Sequence, residues 1–232
     1  MDLSGHQGAL ADMWRFDPTT GQWTWVAGSG ASGAAGVYGT LGAAAAGNAP
    51  GARYGATAWS DPSGNVWLFG GYGIDATGAF GQLNDLWRYA PQAATWTWMA
   101  GSSAILGHAS STGASTDVPG ARAYAAGWAD ASGNLWLFGG YGLDISAIAG
   151  NLNDTWRYAT GTGQWTMISG STTVNAVGVY GGTGTPNGNV PGARNGAAGC
   201  IDPKGGFWFF GGNGLDVKGN IGSLNDLWTY TP

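Results

Sequence analysis

The chain has 232 residues, only 9% of them charged, with a net charge of −5 and a pI near 4.6; that balance argues against nucleic acid and anionic membrane surfaces as partners, since both need clustered Lys and Arg. All thirteen acids are aspartate and Lys, Arg and Gln are scarce, which argues against helices, while 46 Gly, 9 Pro and 14 Trp suit strands and turns. A single cysteine, Cys200, excludes an internal disulfide framework.

Residues 1–14 align position by position with residues 215–228, so the chain opens inside a repeat that also closes it. Met1-Asp2-Leu3-Ser4 has neither the basic nor the apolar region of a signal peptide. No apolar stretch approaches the roughly 18 residues needed to span a bilayer, so the chain as given reads as soluble, with no membrane insertion. The strand Trp23 to Val26 follows, alternating large side chains onto one face. After a Gly- and Ala-rich segment (27–49) comes the first complete unit. Its predicted strands are Arg53 to Trp59, Val66 to Phe69, Asp85 to Tyr89 and Trp96 to Met99, with a tight hairpin at 61–65. Residues 65–73, ending in Phe69-Gly70-Gly71-Tyr72-Gly73, return at 134–142 and 206–214. They read as a strand buried on both faces, closed by a bend that only glycine makes cheaply.

Pro-Gly-Ala-Arg begins at Pro50, Pro119 and Pro191, steps of 69 and 72 residues. A fixed period of this size defines a repeat architecture. The units are 1–49 (the last two strands), 50–118, 119–190 and 191–232 (the first three strands), thirteen strands altogether. The aromatics are numerous and periodic enough to offset the ordering entropy of so glycine-rich a chain.

A hydrophobic strand closed by Gly-Gly, an aromatic about eighteen residues on, and a Trp near the unit's end resemble the kelch repeat. Trp67, Gly70, Gly71, Tyr89 and Trp96 carry the likeness in one unit, and Trp136, Gly139, Gly140, Tyr158 and Trp165 in the next. Trp208, Gly211, Gly212 and Tyr230 carry it in the last. The resemblance implies an all-β fold of kelch-type β-propeller blades, each of four antiparallel strands, about three per chain, akin to the central domain of the galactose-oxidase superfamily. Kelch units run near 50 residues, whereas these run near 70, and the surplus lies in 27–49, 100–118 and 169–190. Extended units of this kind are similar to those of secreted or cell-surface bacterial proteins, which sets the expected location as extracellular.

In such a blade the long connections emerge on one rim, and loops on rigid scaffolds generally carry function. The rim candidates for ligand binding are Tyr38, Tyr72, His108, Tyr141 and Tyr180. Arg53, Arg122 and Arg194, with Asp85, Asp154 and Asp226, recur once per unit, as pairing between strands would require; a buried pair of this kind acts as a register device. Asp75, Asp144 and Asp216, with Asp2, place one carboxylate per unit on the same rim. They are candidates for Ca2+, set against an Asx-turn, which is favoured because no unit supplies a second acid at suitable spacing. Cys200 aligns with Trp59 and Trp128, as a core position would. No cofactor and no catalytic residue is expected: copper radical oxidases of similar fold need two His, two Tyr and a crosslinked Cys at one site, and the pattern is absent.

The expected function is a non-enzymatic scaffold for a protein or glycan partner. The alternatives are a piece of a larger propeller enzyme (oxidase, lyase or hydrolase) and an open structural array of blades. Three blades leave two open aromatic faces, so a homodimer forming a six-bladed ring is expected. Twelve strands per chain would suffice for that ring, and the strands of Trp14 and Trp228 compete for one slot.

Overall fold

The computed structural model describes residues 2–107, 109, 117–184 and 188–231. Among these there is no helix, and the strand segments pair only antiparallel. They are β1 (Met13–Asp17), β2 (Gln22–Ala27), β3 (Arg53–Tyr54), β4 (Thr57–Ser60), β5 (Val66–Ile74), β6 (Phe80–Ala90), β7 (Thr95–Ala100), β8 (Arg122–Ala123) and β9 (Ala126–Ala129). Then come β10 (Leu135–Leu143), β11 (Ala149–Ala159), β12 (Gln164–Ser169), β13 (Arg194–Asn195), β14 (Ala198–Ile201), β15 (Phe207–Phe210), β16 (Asn213–Leu215), β17 (Ile221–Ser223) and β18 (Leu227–Tyr230). β1 and β2 form a hairpin. One sheet runs β3-β5-β6-β7 with β4 also on β5, and its counterpart runs β8-β10-β11-β12 with β9 also on β10. The last segments form β14-β15-β18 and β13-β16-β17.

The Gly-Gly pairs do not end their strands. β5 continues to Ile74, because Gly70 and Gly71, with φ of 62° and 100°, form a bulge across which the register shifts and pairing resumes at Gly71↔Leu83. The third strand therefore begins at Phe80 rather than Asp85, and the connection shrinks to residues 75–79. A Cβ on Gly70 would stand 2.7 Å from the Arg122 carbonyl of the next sheet and 2.9 Å from that of Leu83; Gly139 stands in the same relation to Arg194 and Leu152. Glycine is required there twice over, for its left-handed backbone and for the close approach of the neighbouring sheet.

The first strand of each unit is broken once, at Gly55, Tyr124 and Gly196, whose φ values are 64°, 59° and 66°. The breaks are stitched together: Tyr124 N donates to Gly55 O at 2.7 Å, and Gly196 N to Tyr124 O at 2.8 Å. β4 thus lies against β9, and β9 against β14.

Face-to-face packing follows chain order. Trp59, Trp67 and Phe69 of the first full sheet bury against Leu135, Leu137, Trp156, Tyr158 and Trp165 of the second. The second presents Trp128, Trp136 and Phe138 to Phe207, Phe209, Trp228 and Tyr230. Trp128 is sandwiched there, its ring 3.8 Å from Phe207 and 5.5 Å from Trp136. The β1-β2 hairpin brings only Met13, Val26 and Ala27 onto the other side of the first sheet. Each large aromatic covers roughly 150–250 Å2, so at about 25 cal/mol per Å2 its burial contributes on the order of 4 kcal/mol before entropy is counted.

The stack is open at both ends. Trp208 and Phe210 are 36% and 50% exposed, although their counterparts Trp67 and Phe69 are 2% and 1% exposed. Cys200 faces the same way and is exposed. Its alignment with Trp59 and Trp128 is reproduced by register, since it opposes Trp208 as they oppose Trp67 and Trp136. Its expected burial is not, because no described sheet covers that face. No helix among the described residues is long and apolar enough to cross a membrane.

Candidate functional site

The recurring charges lie inside the sheets. Arg53 donates from Nε to Gly51 O at 3.0 Å, from NH1 to Gly70 O at 2.9 Å, and from both terminal nitrogens to Asp85 at 2.7 and 2.8 Å. One guanidinium thereby clamps the first, second and third strands of its unit. Arg122 repeats the arrangement with Gly139 O and Asp154, and Arg194 with Gly211 O and Asp226. Each carboxylate also accepts the indole N–H two residues on, from Trp87, Trp156 or Trp228.

Tyr38 and Tyr180 belong to these clusters. The Tyr38 hydroxyl donates to Asp85 at 2.6 Å and its ring packs on Trp87 and Trp98, leaving it buried. Burial, reinforced by the Asp85 charge, pushes its phenol far above the ordinary value. Tyr180 makes the same bond to Asp226 at 2.7 Å and lies edge-on to Trp228, but is more exposed because no described residue beside β18 takes the place that Trp98 of β7 has against Tyr38. Both rings tie an inserted segment onto a sheet.

The rim aspartates are equally occupied. Asp75 Oδ1 accepts the Thr77 and Ala79 backbone N–H groups, and Oδ2 accepts that of Ile105 at 3.0 Å. Asp144 does the same with Ser146, Ile148 and Val174, and Asp2 with Ser4, His6 and Ser32. Asp216 accepts from Lys218 and Asn220 N and from Asn220 Nδ2. This is Asx-turn geometry. Among the described residues no three His, Cys, Asp or Glu group together as a metal site would require.

Beyond the Gly-Gly bulges the strands reach an edge whose side chains differ from unit to unit. Tyr54, Ala123 and Asn195 share one repeat position; Tyr72, Tyr141 and Asn213 share another; Gly55, Tyr124 and Gly196 a third. Over the first two sheets this edge is aromatic. Tyr54 stacks on Tyr72 (5.9 Å, 15°), Phe80 tilts against both at 6.2 and 5.1 Å, and Tyr124 meets Tyr54 at 6.4 Å. Tyr54, Phe80, Tyr124 and Tyr141 are each about half-exposed. Tyr124 holds its ring there from a left-handed backbone, φ 59°, a conformation that costs a bulky residue about 1 kcal/mol or more.

Amides continue the edge. Gln82 Nε2 donates to Tyr141 O at 3.1 Å, and Asn195 Nδ2 donates to Asn151 Oδ1 at 2.7 Å. On the other side of Tyr54 and Phe80 a groove of about 680 Å3 is lined also by Gln7, Leu10, Ser32 and Arg53. Arg53, the charged member, is already committed to Asp85. The edge is therefore electrically neutral, with ring faces for stacking and tyrosine hydroxyls for hydrogen bonding, while the buried amides of Gln82 and Asn151 brace it from within.

Of the sequence-predicted rim residues, Tyr72 and Tyr141 lie on this edge, Tyr38 and Tyr180 lie away from it, and His108 falls outside the described residues. Tyr54, Phe80 and Tyr124 were missed. The available signal was their variation: aligned units keep the structural residues constant and change at these positions. In comparison with known proteins, no family model matches the chain and no curated protein matches its sequence.

Proposed function

We propose that the chain is a non-enzymatic binding scaffold built of kelch-like four-stranded blades, and that its aromatic edge takes a neutral glycan. Support for the blade reading comes from the four-strand pairing order and the face-to-face stacking in chain order, with the first strands of successive sheets side by side. The observation that carries the binding reading is a division of labour. The charged side chains that recur are bonded within the sheets, while the exposed, unit-specific side chains Tyr54, Phe80 and Tyr124 gather around the recurring Tyr72. Aromatic faces stack on the apolar faces of sugar rings, and tyrosine hydroxyls hydrogen-bond sugar hydroxyls, without any need for charge.

The test is a glycan array followed by calorimetry with the best neutral oligosaccharide. Wild type should bind and Tyr54→Ala or Phe80→Ala should lose at least about tenfold in affinity. Silence across the array would refute the glycan reading and turn the search to protein partners. The proposal also includes self-association of two chains into a six-bladed ring, favoured by the exposed aromatic faces at both ends of the stack. Sedimentation velocity would give a dimer.

A further inference from the structure

A second pair of arginines has no carboxylate partner. Arg88 and Arg157 follow Trp87 and Trp156 on the third strand of their units, opposite Trp67 and Trp136 in the ladder and so on the face that meets the next sheet. Each guanidinium lies over that indole, with Cζ 5.8 Å from the ring centroid. Among the described residues neither forms an ion pair, and the Nε–H of each is buried without a hydrogen-bond acceptor. The aspartates at the same indoles are committed elsewhere: Asp61 accepts the side-chain N–H groups of Trp67 and Asn65, and Asp130 those of Trp136 and Asn134.

The second full sheet brings further unpartnered groups to the wedge that Arg88 enters. Tyr158 is fully buried with its ring 5.7 Å from that of Trp67, and its hydroxyl has no hydrogen-bond partner. Trp165, 5.2 Å from the Tyr158 ring, is buried and equally unpartnered at Nε1. A Cβ on Gly163, in the turn between β11 and β12, would stand 3.6 Å from the Tyr158 oxygen. That oxygen therefore lies at the short-turn rim, at the opposite end of the sheets from the aromatic edge. Burial pushes the Tyr158 phenol up to about 12 while the Arg88 charge acts against that rise, so the two groups feel each other across the wedge.

Arginine Nε–H and indole N–H only donate, and the phenol donates as readily as it accepts. Such a set cannot satisfy itself. A water would accept from two members, but it would bring two further hydrogens against ring faces and leave the guanidinium without the counter-charge that a buried cation needs. A small monovalent anion accepts from the whole set and supplies that charge. We propose that the wedge between the first two full sheets is a halide site, where chloride is held between Arg88 Nε–H and the Tyr158 hydroxyl. Both atoms lie out of reach of solvent, which selects a small ion over phosphate or a carboxylate group. In the next wedge Arg157 acts on Tyr230, whose ring is 5.6 Å from Trp136 but only partly buried. An ion there is in contact with solvent and held more weakly.

The test compares thermal melting of the 232-residue chain in sodium chloride and in sodium gluconate at equal ionic strength, so that screening is the same. A bound ion stabilises by mass action, so in chloride the melting temperature should climb by about 2–4 °C and level off, and bromide should act likewise. Tyr158→Phe keeps the ring and removes only the oxygen. In gluconate it should melt no lower than wild type, because an unsatisfied buried hydroxyl has gone; in chloride it should lose most of the rise. Arg88→Met, which keeps an apolar stem over Trp67, should lose it too. Crystals soaked in bromide should show an anomalous-scattering peak between Arg88 and Tyr158. Equal melting of wild type in chloride and gluconate, or a chloride response that Tyr158→Phe retains in full, would overturn the site and leave water in the wedge.

Discussion

Arg122 is 1% exposed and its guanidinium closes three strands at once, so its removal strands Asp154 in the interior. Arg122→Met should cost about 3–5 kcal/mol, the usual penalty for breaking one side of a buried pair. Adding Asp154→Leu should recover a large part of that loss, measured by urea denaturation. Glycines separate two effects that are otherwise confounded. Gly64 has φ +80° and open space around its Cβ position, while Gly139 has φ +62° and two carbonyls within 3 Å. Gly64→Ala should cost about 1 kcal/mol and Gly139→Ala clearly more, since only the second meets the neighbouring sheet. Asp226 is one of several aspartates whose lowered carboxyl groups make the fold acid-sensitive. Burial opposes its ionisation, but hydrogen bonds from Arg194, Trp228 and Tyr180 outweigh burial and hold the carboxyl at about 2, below the ordinary 3.8. A depressed carboxyl pKa contributes stability that is present above the unfolded value and lost as pH falls through the folded one. Its share of the stability should therefore be lost between pH 3.8 and about 2, and Asp226→Asn should make that stretch of the profile less steep.

Among elements, the broken first strand is where structure and binding part company. Tyr124 occupies a left-handed position that its counterparts fill with Gly55 and Gly196. Tyr124→Gly should leave thermal stability unchanged or slightly raised while weakening glycan binding; a fall in the melting temperature would show that the ring is kept for packing. The strands around Trp67, Trp87 and Trp96 were legible in the sequence because apolar alternation and turn residues are local signals. Strand ends were not. Whether Gly70-Gly71 stops β5 or merely bends it depends on Leu83 and Gln82 returning alongside to resume pairing, and on Arg122 arriving from the next unit. The edge around Tyr54 was illegible for a related reason, since Tyr54, Phe80 and Tyr124 come from three separate segments that only the bulge and the break bring together.

For the whole molecule, repetition pointed to an all-β chain of similar antiparallel units but not to which faces would be covered. Cys200 and Trp208 occupy positions that are buried in earlier units, and only the uncovered end of the stack makes them exposed. Closure of that end should be visible chemically. If two chains meet as proposed, Cys200 should react with a thiol reagent several-fold more slowly in the dimer than in dilute monomer, and an unchanged rate would place the contact elsewhere.

The turn aspartates impose a direction on the making of the protein. Asp2, Asp75 and Asp144 each take a last N–H from a residue thirty positions downstream, Ser32, Ile105 and Val174. During synthesis the last bond of each turn can form only after the residue thirty positions downstream has left the ribosome. A nascent chain stalled just short of Ile105 or Val174 should therefore expose the Asp75 or Asp144 turn with one carboxylate oxygen unfastened.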